Sequence, residues 1–435
     1  MPDASLSAAL PVPDALRDAQ PLLWINPQRL HNAPASSLPV AFAQARARLE
    51  RCAPLMAHVF PELQAAQGHV RSPLQPIPAL QASLGANQGL WMLKRDDALP
   101  VAGSIKARGG FHEVLSLAEN LATQAGLLGP DDDRLRLVSP EAQKLFARHT
   151  VVVGSTGNLG MSIGLIARGL GFRAIVHMSA DAKAWKKIRL RDAGVEVIEH
   201  SGDYASAVQA GRRVAEGDPD SYFVDDEHSA ALFYGYAVAA IELQQQLADA
   251  GRPVDATHPL FVYLPCGVGG APGGITFGLT QLFGEHVHCF FAEPVAAPSM
   301  LVQLMRGEGA APVSVYDFGL SNQTEADGLA VAQASPLVAP LMLPMLSGVF
   351  TVKDDTLFED LCGLHRHEQI RVEPSAAAGV RGPLWLRDSE AGRRYLAEQG
   401  LAPYMDQATH VIWSTGGARV PDSEYARWLA RCQGG

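Results

Sequence analysis

The chain has 435 residues, 47% hydrophobic and 18% charged, with a formal charge of −10. That is a globular composition with room for two domains, and an acidic chain without a basic, aromatic-interleaved stripe excludes a nucleic-acid surface. Stretch 336–350, the most apolar later one, is broken by Pro340 and Pro344 and is too short to span a bilayer.

Positions 1–40 are rich in Pro, Ala and Ser and read as an extension laid on a neighbouring surface. Helical pattern starts near Val40, with Phe42, Ala45, Leu49 and Cys52 on one face, until Pro54 interrupts it. Segment Gly103–Gly110 then sets Lys106 in a chain whose other lysines are Lys94, Lys144, Lys183, Lys186, Lys187 and Lys353. A lysine in this setting can form an imine with an aldehyde, which arginine cannot, and Gly103, Ser104 and Gly110 leave space for a flat ring. A surface lysine in a glycine-rich turn is the competing reading, and the segment alone does not choose between them.

From His149 the pattern becomes strand, glycine turn, helix: a strand at Val151–Val153, a turn over Gly154–Gly160 and a helix over Met161–Leu170. It continues with a strand at Arg173–Met178, a helix over Asp181–Ala193, a strand at Val195–Ile198, a helix after Asp203 and a strand at Tyr222–Val224. Such alternation predicts a parallel sheet with helices on its faces. Lys183, Lys186 and Lys187 with Arg189 and Arg191 read as the solvated face of one of these helices. A second α/β region has strands at Phe261–Leu264, His286–Ala292 and His410–Trp413. The cysteines Cys52, Cys266, Cys289, Cys362 and Cys432 are scattered, so neither a disulfide framework nor a paired-cysteine metal site is expected. With no apolar leader after Met1, a reducing cytoplasm is the expected compartment.

Three further segments carry chemistry. Leu264–Gly274 is a glycine-dense loop before a helix expected over Ile275–Phe283, where backbone N–H groups and the positive helix end make a phosphate cradle. The same order opens a dinucleotide site, with Glu293 as the one claimant for a ribose ligand. Gly154–Gly160 offers hydroxyls and an amide that suit a small carboxylate, and Asn158 can donate to a phenolate oxygen; helix capping by Ser155 or Thr156 is the alternative. Thr415, in Trp413–Gly417, reads by itself as a turn residue. Asp225 and Asp226 end a strand and suit either a substrate hydroxyl or a turn.

In this order the segments resemble pyridoxal-phosphate enzymes of the tryptophan-synthase-β type. With Val176–Asp181, Asp225–Glu227 and Phe290–Pro294 they are similar to the D-serine dehydratase family from about Trp24 onward. Ala271 and Ala418 stand where the family commonly carries glycine. The resemblance implies an α/β fold of type II with two open parallel-sheet domains. A large cofactor domain would comprise 1–110 and 240–435, with the extension 1–40, and a small βαβ domain over 111–239 would carry the carboxylate loop.

It also implies roles. Lys106 holds pyridoxal 5′-phosphate through an imine and serves as the catalytic base. Ser155, Thr156, Gly157 and Asn158 surround the substrate carboxylate, Asn158 also standing near the cofactor's phenolate oxygen. Backbone amides of Gly267, Val268, Gly269 and Gly270 hold the phosphate, and Thr415 meets the pyridine nitrogen. Glu293 is similar to a residue that binds a monovalent cation, potassium or sodium. The implied activity is β-elimination of D-serine to pyruvate and ammonia through aminoacrylate, by a monomer whose only partner is a small-molecule amino acid, with no nucleic acid and no membrane. L-serine or L-threonine dehydration and β-replacement are alternatives on the same scaffold. A nicotinamide-dependent dehydrogenase rests on the glycine loop alone and leaves Lys106 unexplained.

Overall fold

The computed structural model describes residues 13–30, 39–155, 157–180, 182–201 and 204–432. Its strands are β1 (Leu23–Ile25), β2 (Leu74–Pro76), β3 (Leu90–Arg95), β4 (Thr150–Gly154), β5 (Arg173–Ser179), β6 (Glu196–His200), β7 (Ser221–Val224), β8 (Leu260–Pro265), β9 (Val287–Pro294), β10 (Gly348–Val352) and β11 (Thr409–Ser414). They form a seven-stranded sheet, order β1-β10-β9-β8-β11-β3-β2, and a four-stranded sheet, order β6-β5-β4-β7. The small sheet is parallel throughout, and in the large one the edge strands β1 and β2 run antiparallel to an otherwise parallel set.

Every residue of β8, β9, β10 and β11 is buried, as expected of parallel strands with helices on both faces. Of the N-terminal extension, the described part contributes the edge strand β1, paired with β10.

Three expectations are corrected. Pro54 does not end its helix, which runs from Val40 to Val59; Leu55 and Met56 beyond it are buried, and that packing outweighs the missing N–H bond. The second glycine loop is shorter than read, because the helix starts at Gly270 and runs to Phe283. Its glycines serve close helix packing: a Cβ on Gly274 would come within 2.4 Å of the Phe233 carbonyl, and one on Gly278 equally close to that of Ala237. Pro272 is tolerated because first-turn N–H groups lack helical partners anyway.

Cys362 and Cys432 form a disulfide, where no disulfide framework was expected, with their Cα atoms 6.5 Å apart. Helices Asp354–Glu368 and Asp422–Arg431 pack together and join positions separated by 70 residues, which sequence spacing does not disclose. Cys52, Cys266 and Cys289 are free and buried. Among the described residues no helix is long and apolar enough to cross a membrane.

Candidate active site

Lys106 is the first residue of helix Lys106–Gln124. Its approach is fixed by β11: the Ile105 N–H donates to the Thr415 carbonyl at 2.9 Å, and Ser104 bridges to Gly416. Gly103 makes the preceding bend at φ +69°, a left-handed value that suits glycine. Two of the segments read from sequence are thereby joined. Gly110 faces Ser162 and Ile163 of helix Asn158–Leu170, so it is small for helix packing and not for a ligand ring.

The Lys106 ammonium donates to Asp226, 3.0 Å from Oδ2 and 3.4 Å from Oδ1, and lies 5.8 Å from the Tyr236 ring centroid. The two aspartates that follow β7 separate in role. Asp225 accepts the Glu227 N–H at 3.0 Å and Arg212 at 2.8 Å, which makes it the turn residue; Asp226 faces Lys106.

Lys106 and Asp226 line one cleft together with Thr415. The run Gly267–Pro272 also lines it, placing the N-terminus of helix Gly270–Phe283 at the cleft. Gly269 caps that helix at φ +109°, and a Cβ there would meet Met300 at 2.4 Å. The Gly267 carbonyl accepts from Ser299 Oγ at 3.2 Å, and the Val268 carbonyl accepts from the Ser335 N–H at 2.8 Å. The loop's carbonyls are thus engaged in scaffold bonds, and a phosphate here would be met by amides and the helix end.

Glu293 ends β9 beneath this loop, fully buried. Its carboxylate accepts the N–H groups of Met300 and Leu301 at 2.8 and 2.9 Å, and burial pushes its pKa up to about 8 despite those bonds. Among the described residues no cationic side chain offsets that burial.

On the small-sheet side, Ser155 accepts the Gly157 N–H at 3.1 Å, and Asn158 begins helix Asn158–Leu170. Ser155, Gly157 and Asn158 line the cleft; Thr156 lies outside the described residues. Asn158 gives one amide hydrogen to Glu373 Oε1 at 2.7 Å.

Glu373 and two other cleft residues, Lys186 and Asp327, were not singled out from the sequence. Lys186 Nζ pairs with Asp327 Oδ2 at 3.0 Å. It belongs to a helix expected to be solvated, yet Lys186 and Lys187 are both buried, Lys187 pairing with Glu199 at 2.7 Å. The missed signal is Leu190, four residues after Lys186 and therefore on its face of helix Ala184–Asp192. Burial and the nearby Asp327 and Asp97 push the Glu373 carboxyl above its usual range, whereas Lys186 opposes that. Burial pulls the Lys186 ammonium down, but Asp327 and Glu373 more than reverse it, so it stays charged.

The family of pyridoxal-phosphate dependent enzymes matches residues 65–394. The chain belongs to that family. Among curated relatives, a probable D-serine dehydratase of Cupriavidus pinatubonensis is 61% identical over 95% of this chain and 94% of its own length. One from Burkholderia thailandensis is 60% identical, covering 96% of this chain and 93% of the relative. Among solved structures, Escherichia coli diaminopropionate ammonia lyase in complex with D-serine superposes with a TM-score of 0.71 at 17% identity, over 94% of this chain and 97% of that one. The processed form of threonine deaminase isoform 2 from Solanum lycopersicum gives 0.62 at 18% identity, over 94% and 97%. These likenesses establish the type II fold, and family membership sets the nicotinamide-dehydrogenase alternative aside. The cleft fits the family's cofactor, since it offers an amine for the aldehyde, a helix N-terminus for the phosphate and a hydroxyl at Thr415.

Proposed function

We propose that this pyridoxal-phosphate enzyme is a D-serine ammonia-lyase, releasing pyruvate and ammonia. The observation that carries the reaction class is the amine of Lys106, in one cleft with the glycine loop and the carboxylate loop. The choice of D-serine rests on relatives named probable D-serine dehydratase at 58–61% identity over 95–96% of the chain.

Pyridoxal phosphate, when bound, engages the substrate amine through its aldehyde and draws electron density from the substrate Cα. Lys106 holds that aldehyde at rest; once displaced by the substrate amine, it is the base that takes the Cα proton. Asp226 accepts a hydrogen bond from the Lys106 amine and keeps it directed in the cleft. Ser155, Thr156, Gly157 and Asn158 would hold the carboxylate; Asn158 is steadied by Glu373, and its second N–H would be available to the phenolate oxygen. Amides of Gly267, Val268, Gly269 and Gly270 hold the phosphate. Thr415, a neutral hydroxyl, would meet the pyridine nitrogen; it brings no negative charge to hold a proton there, which favours early departure of the β-group. The Cα proton and β-hydroxyl leave as the elements of water, giving 2-aminoacrylate, which water hydrolyses to pyruvate and ammonia.

Glu293 is taken to neighbour a potassium or sodium ion, which would offset its uncompensated buried charge. The reading divides the chain into a large domain (1–110 and 240–435) and a small one (111–239), each with one of the two sheets. It takes the holoenzyme to be a cytoplasmic monomer, although the Cys362–Cys432 disulfide removes the cysteine argument for a reducing compartment; sedimentation tests the assembly state. The deciding assay is pyruvate formation by the purified holoenzyme from each serine enantiomer. Turnover of D-serine is expected, and selective turnover of L-serine overturns the assignment.

A further inference from the structure

Among the described residues two ammonium groups line the cleft, and the proposed reaction uses one. Lys106 is committed to the aldehyde and the Cα proton. Lys186, from a helix that follows β5, also lines the cleft, and its residue is only 3% exposed. It stands against the carboxylate loop: a Cβ built on Gly157 would lie 2.6 Å from Lys186 Nζ. A flexible, strongly hydrated side chain has been taken out of water there, a placement that is costly unless the charge is paired.

The groups facing it are Asp327 at 3.0 Å, with Glu373 and Glu424 acting at longer range and the Trp185 ring centroid 5.6 Å away. Asp327 is the most accessible of these acids, its side chain 32% exposed, so water can solvate it when its partner is drawn elsewhere. Glu424 is engaged with Lys183 and Arg427. Among the described residues no arginine lines the cleft. Hydroxyls and backbone N–H groups of Ser155–Asn158 can orient a carboxylate, but they bring no full positive charge to a site whose lining already includes Asp226, Asp327 and Glu373.

We propose that Lys186 is the counter-ion for the substrate α-carboxylate, standing behind Gly157 and exchanging Asp327 for the incoming anion. It thereby selects amino acids over amines of the same size. This inference rests on the ammonia-lyase reading for the identity of the substrate, and it adds to the loop a positioning residue that neither loop nor cofactor supplies.

The test compares D-serine with 2-aminoethanol, which keeps the amine and the hydroxyl but lacks the carboxylate. Holoenzyme with K186M should show a KM for D-serine raised about 10- to 100-fold, the range of one charge-assisted hydrogen bond, with kcat changed far less. Its affinity for 2-aminoethanol, read from the cofactor's visible spectrum, should stay within about threefold of the parent. A purely structural role for Lys186 weakens both ligands alike, so equal losses overturn the proposal, as does an unchanged KM. Should the methionine variant not fold, K186Q, which keeps a donor toward Asp327, takes the same comparison; the preference for D-serine over 2-aminoethanol should fall, and an undiminished preference overturns the proposal. Failure of the parental holoenzyme to turn over D-serine instead removes the ammonia-lyase reading, and is distinguishable because it appears before any substitution.

Discussion

The two sheets present the same edge to the cleft but offer it different chemistry. In the large sheet, the segments following the neighbouring strands β8, β11 and β3 deliver Gly267–Gly270, Thr415 and Lys106; in the small sheet, those following β4, β7 and β5 deliver Ser155, Gly157 and Asn158, Asp226 and Lys186. Both obey the rule that open parallel sheets bind ligands at the carboxyl ends of their strands. The large sheet is buried through β8–β11, whereas β6 has no fully buried residue and β7 has one, Val224. The large sheet contributes mostly backbone and one reactive amine. The small one contributes side chains, which can be exchanged without disturbing a strand. The proposed roles therefore put cofactor retention mainly in the first half, Asn158 excepted, and substrate choice in the second.

The largest expected effect lies on the cofactor side. K106A should lower kcat by at least about 10⁴-fold and remove the visible band of the bound cofactor, because one amine serves as tether and base. Persistent turnover, or borohydride labelling of another residue, would break the division. Next comes packing under the phosphate loop. G274A sets a Cβ 2.4 Å from a backbone carbonyl, whereas G164A in the small half meets the Val195 side chain at 2.9 Å. Urea unfolding should show G274A losing about 1–3 kcal/mol, with cofactor affinity falling too, and G164A losing less, because a side chain yields more readily than backbone. On the substrate side, S155A removes the hydroxyl that accepts the Gly157 N–H. Its KM for D-serine should rise about tenfold with cofactor affinity unchanged; an equal loss of cofactor would show that the halves are not separable.

Much of this arrangement was legible in the sequence, for identifiable reasons. Val151–Val153 and the strands around Phe261 and His410 stand out because buried parallel strands are unbroken apolar runs bounded by glycine. The edge strands β1 and β2, three residues each, are too short to carry a period and went unread, as did β3 and β10. Lys106 and the glycine loops are visible because their residue types are unusual in place. Glu373, Asp327 and Lys186 are ordinary residues in sequence and become a site only when helix Ala184–Asp192 folds against the cleft. The Cys362–Cys432 pair and the split between Asp225 and Asp226 are likewise products of tertiary packing and of a turn.

The smallest effect separates the two possible companions of Glu293, a proton and a metal ion. Burial raises its folded pKa from the ordinary 4.5 to about 8, so the folded chain holds a proton there that the unfolded chain releases. The stability this represents is fully present below pH 4.5 and is lost as pH rises through 8. Asp360, which burial pushes up to about 7, adds a loss of the same sign that does not depend on any cation near Glu293. In tetramethylammonium buffer the thermal midpoint should fall by roughly 5 °C between pH 5 and 8, and E293Q should remove Glu293's share of that fall. An alkali ion beside the carboxylate replaces the proton as the compensating charge, so in potassium or sodium the parental slope should be shallower while that of E293Q is the same in all three salts. Identical slopes for the parent in every salt would assign Glu293 to bracing the Met300 and Leu301 amides beneath the phosphate loop, and to nothing more.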